Sequence, residues 1–315
     1  MNRKRVPVFF SCDDNYIPFL GVAIKSLIEN TTEENDYFIF VLHSKMSIDN
    51  MKIITNMEKE NVSICFIDVS EKLVRFGERL NLRDYYTVAI YFRIFIPNMF
   101  PQFDKAIYLD ADMVVLDDIA KLYSIELGDM LLGGVPDSII ACRKEFRDYA
   151  ELGCGIYPYT KYFNSGMMLM NLEGMRRFDL EGKFEYLFNK YRFDTVCPDQ
   201  DYLNVICKDR VLYVDGGWDK MAIDDNYDGK PMIVHYNNFA KPWQQDGICY
   251  SDYFWQYADM TPYKDAIHNM RKSFTKEKLE AQAKGSEALV ASTIRIVNDP
   301  NNFKRVFERG VIYGK

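Results

Sequence analysis

The sequence predicts an α/β protein in which a mostly parallel central sheet is flanked by helices. Three observations carry this expectation. Apolar runs of strand length recur along the 315 residues, bounded by charged or turn-forming residues. The first three runs are separated by segments that suit helices, giving strand, helix, strand, helix, strand, and that alternation makes a parallel sheet. The composition, 48% apolar and 27% charged, suits a chain that buries a large core.

Val6–Cys12 (VPVFFSC) is the first buried-strand candidate and runs into Asp13-Asp14-Asn15. Pro18 opens a helix whose Leu20, Ala23, Ile24, Leu27 and Ile28 share one face. Tyr37–His43 is the second strand, Ser47 caps a helix running through Glu58, and Val62–Val69 is the third strand. Residues 86–100 are densely apolar with a single charge, Arg93. Within Lys105–Leu116 (KAIYLDADMVVL), the apolar run Ala106–Leu109 reads as a buried strand that runs into Asp110 and, after one spacer, Asp112. Leu131–Val135 and Phe163–Leu172 (FNSGMMLMNL) follow. Pro198–Asn204 then reads as an acidic helix N-terminus, with Asp199 as its cap and Asp201 favoured by the helix dipole. Met232–His235 is a strand ending in histidine, ahead of Lys241-Pro242-Trp243. The expected division is residues 1–260 as the main domain and 261–315 as a basic helical extension.

Several classes are excluded. A net charge of −7 argues against general nucleic-acid binding. The opening MNRKRVPVFFSCDDN is neither a signal peptide nor a membrane span, and no apolar run reaches ~18 residues. Seven scattered cysteines without C-x-x-C spacing point to free thiols in a reducing cytoplasm, not to zinc or disulfides. From Lys264 to Lys315, eleven basic residues face six acidic ones. Such a tail on an acidic body either touches acidic lipid or a partner, at the inner membrane face, or packs on its own domain. Both readings stand.

In α/β sheets ligands bind beyond the carboxyl ends of the strands, where Asp110 sits. Side chains of an extended chain alternate, so Asp110 and Asp112 can point the same way. Paired carboxylates repel and call for a cation, and Mg²⁺ or Mn²⁺ commonly binds jointly with substrate phosphates. D-x-D alone also suits a solvated acidic turn. The sequence has neither G-x-G-x-x-G after the first strand nor a G-x-x-x-x-G-K-[ST] loop, so phosphates need another device, and a metal held by D-x-D supplies one. Arg93 either satisfies a structural carboxylate or lines the ligand cleft. Gly166 is placed where backbone approaches a ligand closely, with Asn164 and Ser165 able to present amide and hydroxyl groups there, though N-S-G alone is a turn signal. His43 reads as structural and His268 as solvated. His235 completes a set with Asp110 and Asp112, and two carboxylates with one imidazole suit Mn²⁺ better than Ca²⁺.

DDNY (Asp13–Tyr16), the Arg93 segment, YLDADMVV, FNSGMMLMNL, DQDYLN and H-x-x-x-x-x-KPW (His235 to Trp243) stand in this order across about Val6–Trp243. Together they resemble the family 8 retaining glycosyltransferases. The resemblance implies a GT-A fold with a Rossmann-like sheet, a UDP-sugar donor carrying glucose or galactose, and Mn²⁺ (or Mg²⁺) dependence. It implies a saccharide, glycolipid or glycoprotein-glycan acceptor, a place in polysaccharide synthesis, and retention at the anomeric carbon. By that resemblance Asp110, Asp112 and His235 are metal ligands. Asp13 and Asn15, with the backbone near Ser11, contact uridine. Arg93, Asn164, Gly166 and Ala111 line the donor sugar and the D-x-D, Asp199 and Gln200 face the β side of that sugar, and Lys241 reaches the diphosphate. The family's H-x-x-G-x-x-K-P-W has Asn238 in place of its glycine, and Asn tolerates a left-handed backbone better than most residues.

Gln200 is a weak nucleophile, so retention is expected by attack from the leaving-group face, with the diphosphate taking the acceptor proton, Gln200 stabilising positive charge and Asp199 orienting the sugar or Gln200. Three other readings remain: an aspartyl-phosphate phosphohydrolase using LDADMV, a non-catalytic UDP-sugar-binding partner of another transferase, and self-glucosylation on a tyrosine. The Cys154–Tyr159 stretch is a loop candidate for the acceptor side.

Overall fold

The structure, a computed structural model, describes residues 3–74, 88–225, 227–239 and 241–311. The start of the apolar segment at 86–100 lies outside the described residues. Ten strands are present among those described: β1 (Lys4–Ser11), β2 (Asn35–His43), β3 (Val62–Asp68), β4 (Lys105–Leu109), β5 (Met113–Val115), β6 (Leu132–Gly134), β7 (Met167–Asn171), β8 (Val211–Tyr213), β9 (Lys220–Met221) and β10 (Ile233–His235). Seven form the central sheet in the order β3-β2-β1-β4-β7-β6-β8, and a small sheet has the order β5-β10-β9. The pairs β3/β2, β2/β1, β1/β4 and β6/β8 are parallel, while β7 runs antiparallel to both neighbours. This is the mostly parallel, helix-flanked sheet that the sequence predicts.

The period-two alternation of the strands divides the core. Val6, Val8 and Phe10 of β1 and Ile107 and Leu109 of β4 join one apolar cluster with the helix Ile17–Glu29. Phe9, Ala106 and Tyr108 point the other way, onto the helix Phe92–Met99. Because both faces are covered, β1 and β4 carry almost continuous apolar runs. The chain leaves β1 toward β2 and β3 and later returns on β1's other side as β4. A sheet of this type opens a crevice at that reversal, beyond the carboxyl ends of β1 and β4. Ser11 and Asp110 stand at those two ends.

Three local expectations need correction. The chain is not extended through Asp110 and Asp112: β4 ends at Leu109, as the apolar run implies, but residues 110–112 turn, and β5 belongs to the second sheet. The Asp110 amide still donates to the Gly166 carbonyl at 2.8 Å, in register with the β4–β7 ladder, and the chain turns directly after it. The Ser47-capped helix stops at Thr55, with the Ser47 hydroxyl accepting from the Asn50 amide at 3.3 Å. The helix Pro198–Ile206 is not capped by Asp199, since Cys197 is its N-cap and the Asp199 side chain turns into the cleft. β8 and β9 were not foreseen because three- and two-residue strands leave no measurable periodicity.

The C-terminal segment is anchored at both ends. Tyr263 and Ile267 are buried in the first cluster, and Ile296, Phe303 and Val306 in the second. Phe303 meets Phe193 with ring centroids 3.9 Å apart. No helix among the described residues is long and apolar enough to cross a membrane.

Candidate active site

A cavity of about 750 Å³ opens at the switch point. The turn after β4 aims Asp110 and Asp112 into it, and β10 delivers His235 from the second sheet. So the two carboxylates converge across a turn, not by strand alternation. His235 Nε2 lies 3.3 Å from Asp112 Oδ1 and 3.9 Å from Asp110 Oδ2. Its Nδ1 lies 3.0 Å from the fully buried Asp219 carboxylate. Such a carboxylate–imidazole pair fixes the ring and its tautomer, leaving Nε2 for the cavity.

Arg93 is 4% exposed and does both things the sequence left open. Its Nη2 holds Asp110 Oδ1 at 2.7 Å and its Nε lies 3.1 Å from Asp199 Oδ2. Nη1 donates to the Ser165 carbonyl at 2.7 Å, and the guanidinium lies over the Tyr108 ring at 4.3 Å. Tyr108 also donates to Asp110 Oδ1 at 3.1 Å. A planar fork serving two carboxylates and a carbonyl is a task lysine cannot perform. Lys241, on the far side, pairs with Asp112 Oδ2.

Electrostatics follow from this packing. Burial alone would raise the Asp112 carboxyl, but Lys241 and His235 outweigh it and hold Asp112 well below the usual range. Burial opposes a charged His235, yet Asp219 and Asp112 push it up to about 10. Burial also raises Asp199, which Arg93 offsets only in part.

The donor set fits a divalent cation. One ligand atom each from Asp110, Asp112 and His235 lies within 4.8 Å of the others. Asp112 Oδ1 is buried without a hydrogen bond. A Cβ added at Gly166 would fall on His235 Cε1 and stand 2.8 Å from Asp110 Oδ2 and Asn164 Oδ1. Glycine thus keeps open the space beside two of the three ligands. Its φ is not in the left-handed region, so room, not backbone freedom, is the requirement.

A polar layer supports the remaining wall. Gln200 Oε1 accepts from the Ser165 amide at 2.9 Å, and its Nε2 donates to Asp137 Oδ2 at 2.9 Å. Because the amide N–H of Ser165 can only donate, the orientation of the Gln200 side chain is fixed. Asn164 Nδ2 also reaches Asp137 Oδ2, at 3.2 Å, while its Oδ1 accepts from the Gly166 amide at 2.8 Å. Asp201 does not face the cavity. It is fully buried and accepts from Tyr149 at 2.7 Å and Tyr162 at 2.6 Å, and from the Val196 and Cys197 amides at 3.0 Å each.

Of the residues singled out by sequence, Ser11, Asp13, Arg93, Asp110, Ala111, Asp112, Asn164, Asp199, Gln200, His235, Asn238 and Lys241 line this one cavity. Gly166 lies behind Asp110. Asn15 is exposed and absent from the lining; its amide donates to Asp13 Oδ1 at 3.0 Å, closing a turn before the first helix. Asn238 has φ 49°, the left-handed shape expected where glycine is usual. Ser165, expected beside Gly166, lines the cavity too, whereas Asp137, Asp219 and Asn237 were missed. No pattern in the sequence marks them, since each is recruited by tertiary packing. Also unforeseen, the helix Lys276–Asn298 walls the cavity with residues including Gly285 and Ser292.

The Glycosyl transferase family 8 profile matches residues 7–247. General stress protein A of Bacillus subtilis is 27% identical over 286 residues, covering 84% of this chain and 96% of that protein. The WbbM bifunctional glycosyltransferase superposes with TM-score 0.73 at 26% identity, over 87% of this chain but 53% of the larger one. The galactosyltransferase LgtC, solved with donor and acceptor sugar analogs, superposes with TM-score 0.67 at 24% identity, over 82% of this chain and 96% of LgtC. That last likeness is one of fold. With the D-x-D turn, the histidine and the lysine gathered at the switch point of this sheet, the chain belongs to glycosyl transferase family 8 and is a glycosyltransferase.

Proposed function

We propose that the protein is a divalent-metal-dependent, retaining transferase that moves glucose or galactose from a UDP-sugar to a glycan, glycolipid or glycoprotein-glycan acceptor. The observation that carries this is the convergence of Asp110, Asp112 and His235 beside Lys241 and Arg93. Mn²⁺, or Mg²⁺ in its place, held by those three residues supplies positive charge for a departing diphosphate. Lys241 adds a second positive charge on the same side, exchanging Asp112 for a phosphate oxygen. Asp13 and the end of β1 at Ser11 form the wall suited to the uridine.

The cleft's fastened carboxylates favour same-face attack. Asp199 Oδ2 is engaged by Arg93 and by the Ser165 hydroxyl at 3.0 Å, so it positions groups and is poorly disposed to form a covalent adduct. Gln200 is tied at both ends, which holds its carbonyl dipole in place beside the reacting sugar. The diphosphate oxygen then takes the acceptor proton. Seven free cysteines and the exposed lysines Lys276, Lys278 and Lys284 of the C-terminal helix favour action in the cytoplasm, with that tail toward the inner membrane face.

The test is nucleotide release from UDP-glucose, UDP-galactose, GDP-mannose and CMP-sialic acid, with Mn²⁺ or with EDTA. Release of UDP from one UDP-hexose, abolished by EDTA, is the expected result. Metal-independent release, or preference for a GDP or CMP donor, contradicts the proposal.

A further inference from the structure

Resting on the transfer reading above, we infer that the C-terminal helix Lys276–Asn298 is the acceptor wall of the cleft, shaped to receive the ring of an uncharged saccharide. This helix lies outside the family-matched span of 7–247. Its residues Gln282, Gly285, Ala288, Leu289, Ser292 and Arg295 line the cavity. Their spacing puts them along one side of the helix. Gln200, Asp137 and Asn237 line the same cavity.

The helix is not there to fill the core. Of its 23 residues only Thr293 and Ile296 are buried. It is nevertheless fixed across the cleft: Gln282 Nε2 donates to Gln244 Oε1 at 2.6 Å, and its last turns are followed by the buried Phe303. Gly285 is in the middle of this helix, where glycine is the least favourable residue other than proline. It has ordinary helical backbone, so no left-handed conformation calls for it. What its missing side chain provides is space on the cavity side, as do the small Ala288 and Ser292.

An independent observation lies elsewhere in the cavity lining. Asn237 is 7% exposed and lines the cavity, and its Oδ1 has no hydrogen-bond partner. A buried carbonyl oxygen without a donor is unfavourable, and a hydroxyl of a molecule in the cavity is the donor it needs. Among the helix residues that line the cavity the charged one, Arg295, is already paired with Asp194, and Asp137 is occupied by two side-chain amides. The groups left to meet a ligand are amides, a hydroxyl and small side chains, which suit a neutral, polyhydroxylated ring and not an anion.

The experiment compares Gly285→Leu, Gly285→Ala and Ser292→Leu with Ala283→Leu, an exposed position outside the cavity lining. Each is given UDP-glucose or UDP-galactose with Mn²⁺ and a set of uncharged saccharides (methyl β-glucoside, methyl β-galactoside, lactose and maltose). Transfer to saccharide and hydrolysis of the donor by water are measured separately, with the melting temperature of each variant. Gly285→Leu and Ser292→Leu are expected to lower the ratio of transfer to hydrolysis at least ten-fold and to raise the saccharide KM. Ala283→Leu keeps the wild-type ratio within two-fold. Gly285→Ala, which favours the helix, lowers the ratio less but in the same direction, so a fall cannot be blamed on unfolding. An unchanged ratio in Gly285→Leu, or an equal fall in transfer and hydrolysis, overturns the inference. Hydrolysis by wild type without transfer to any of these saccharides also overturns it while leaving donor chemistry intact. Absence of both reactions in wild type refutes the transfer reading and this inference together.

Discussion

Replacing Arg93 by methionine removes the cation shared by Asp110 and Asp199 while keeping most of the side-chain volume. At 4% exposure the guanidinium lies 2.7 Å from one carboxylate and 3.1 Å from the other, and both would be left facing an apolar stem. Removing one partner of a buried ion pair costs about 3–5 kcal/mol. The Ser165 carbonyl loses its donor too, but that loss is contained in the same rearrangement and is not added. Against a total stability of about 5–15 kcal/mol the variant folds but melts early. At about 2 °C per kcal/mol for a chain of this size, the expected fall in Tm is about 6–10 °C. Calorimetric or circular-dichroism melts read it directly. The mechanism is tested by Arg93→Met combined with Asp199→Asn, which removes one of the stranded charges and regains about 1–2 kcal/mol relative to additivity. A fall in Tm below about 2 °C, or strictly additive losses in the double variant, would refute the reasoning.

Other predictions follow from the same geometry. Gly166→Ala forces its Cβ against His235 and Asp110, lowering stability by about 1–3 kcal/mol and weakening Mn²⁺ binding, which titration calorimetry measures. Asp219→Asn releases the His235 ring from its charged partner and lowers metal affinity about 10–100-fold with little change in the fold, checked by the same titration and by circular dichroism. Asp201 has its carboxyl raised by burial to about 6, so its contribution to stability is complete below the unfolded value near 3.8 and is lost as pH rises through 6. Urea unfolding of wild type against Asp201→Asn should therefore show the wild-type advantage shrinking by about 2 kcal/mol from pH 4.5 to 7. A gap that widens with pH contradicts that assignment.

Much of this could be read from the sequence, for identifiable reasons. β1 and β4 are buried on both faces and β2 largely so, and their apolar runs announce them. β3, at the sheet edge, alternates buried Val62 and Ile64 with exposed Ser63 and Cys65. The acids after β1 and β4 announce the crevice. The D-x-D pair was expected just beyond the end of a strand and lies there, but not on extended chain: an apolar pattern continues across Ala111 to Val115, whereas residues 110–112 turn and Met113–Val115 joins the second sheet. Asp199 was misread as a helix cap because its buried partner Arg93 is over a hundred positions away in the chain, beyond the reach of any local rule. Asp219, Asp137 and Asn237 carry no local signature at all. The wall formed by the Lys276–Asn298 helix was invisible for a related reason. Its cavity side is made of small residues, which read as neither a core stripe nor a charged face.

The account rests on Asp112 serving the metal and, through it, the diphosphate. The most direct measurement is UDP release from the preferred UDP-hexose by wild type and by Asp112→Asn across a Mn²⁺ titration, with the fold of both confirmed by melting. Wild type should show saturable Mn²⁺ dependence, and Asp112→Asn should lose at least a hundred-fold in turnover at every Mn²⁺ concentration while remaining folded. Turnover in Asp112→Asn within about three-fold of wild type would contradict the account, because an amide in that position offers neither the charge nor the second oxygen the site is built around.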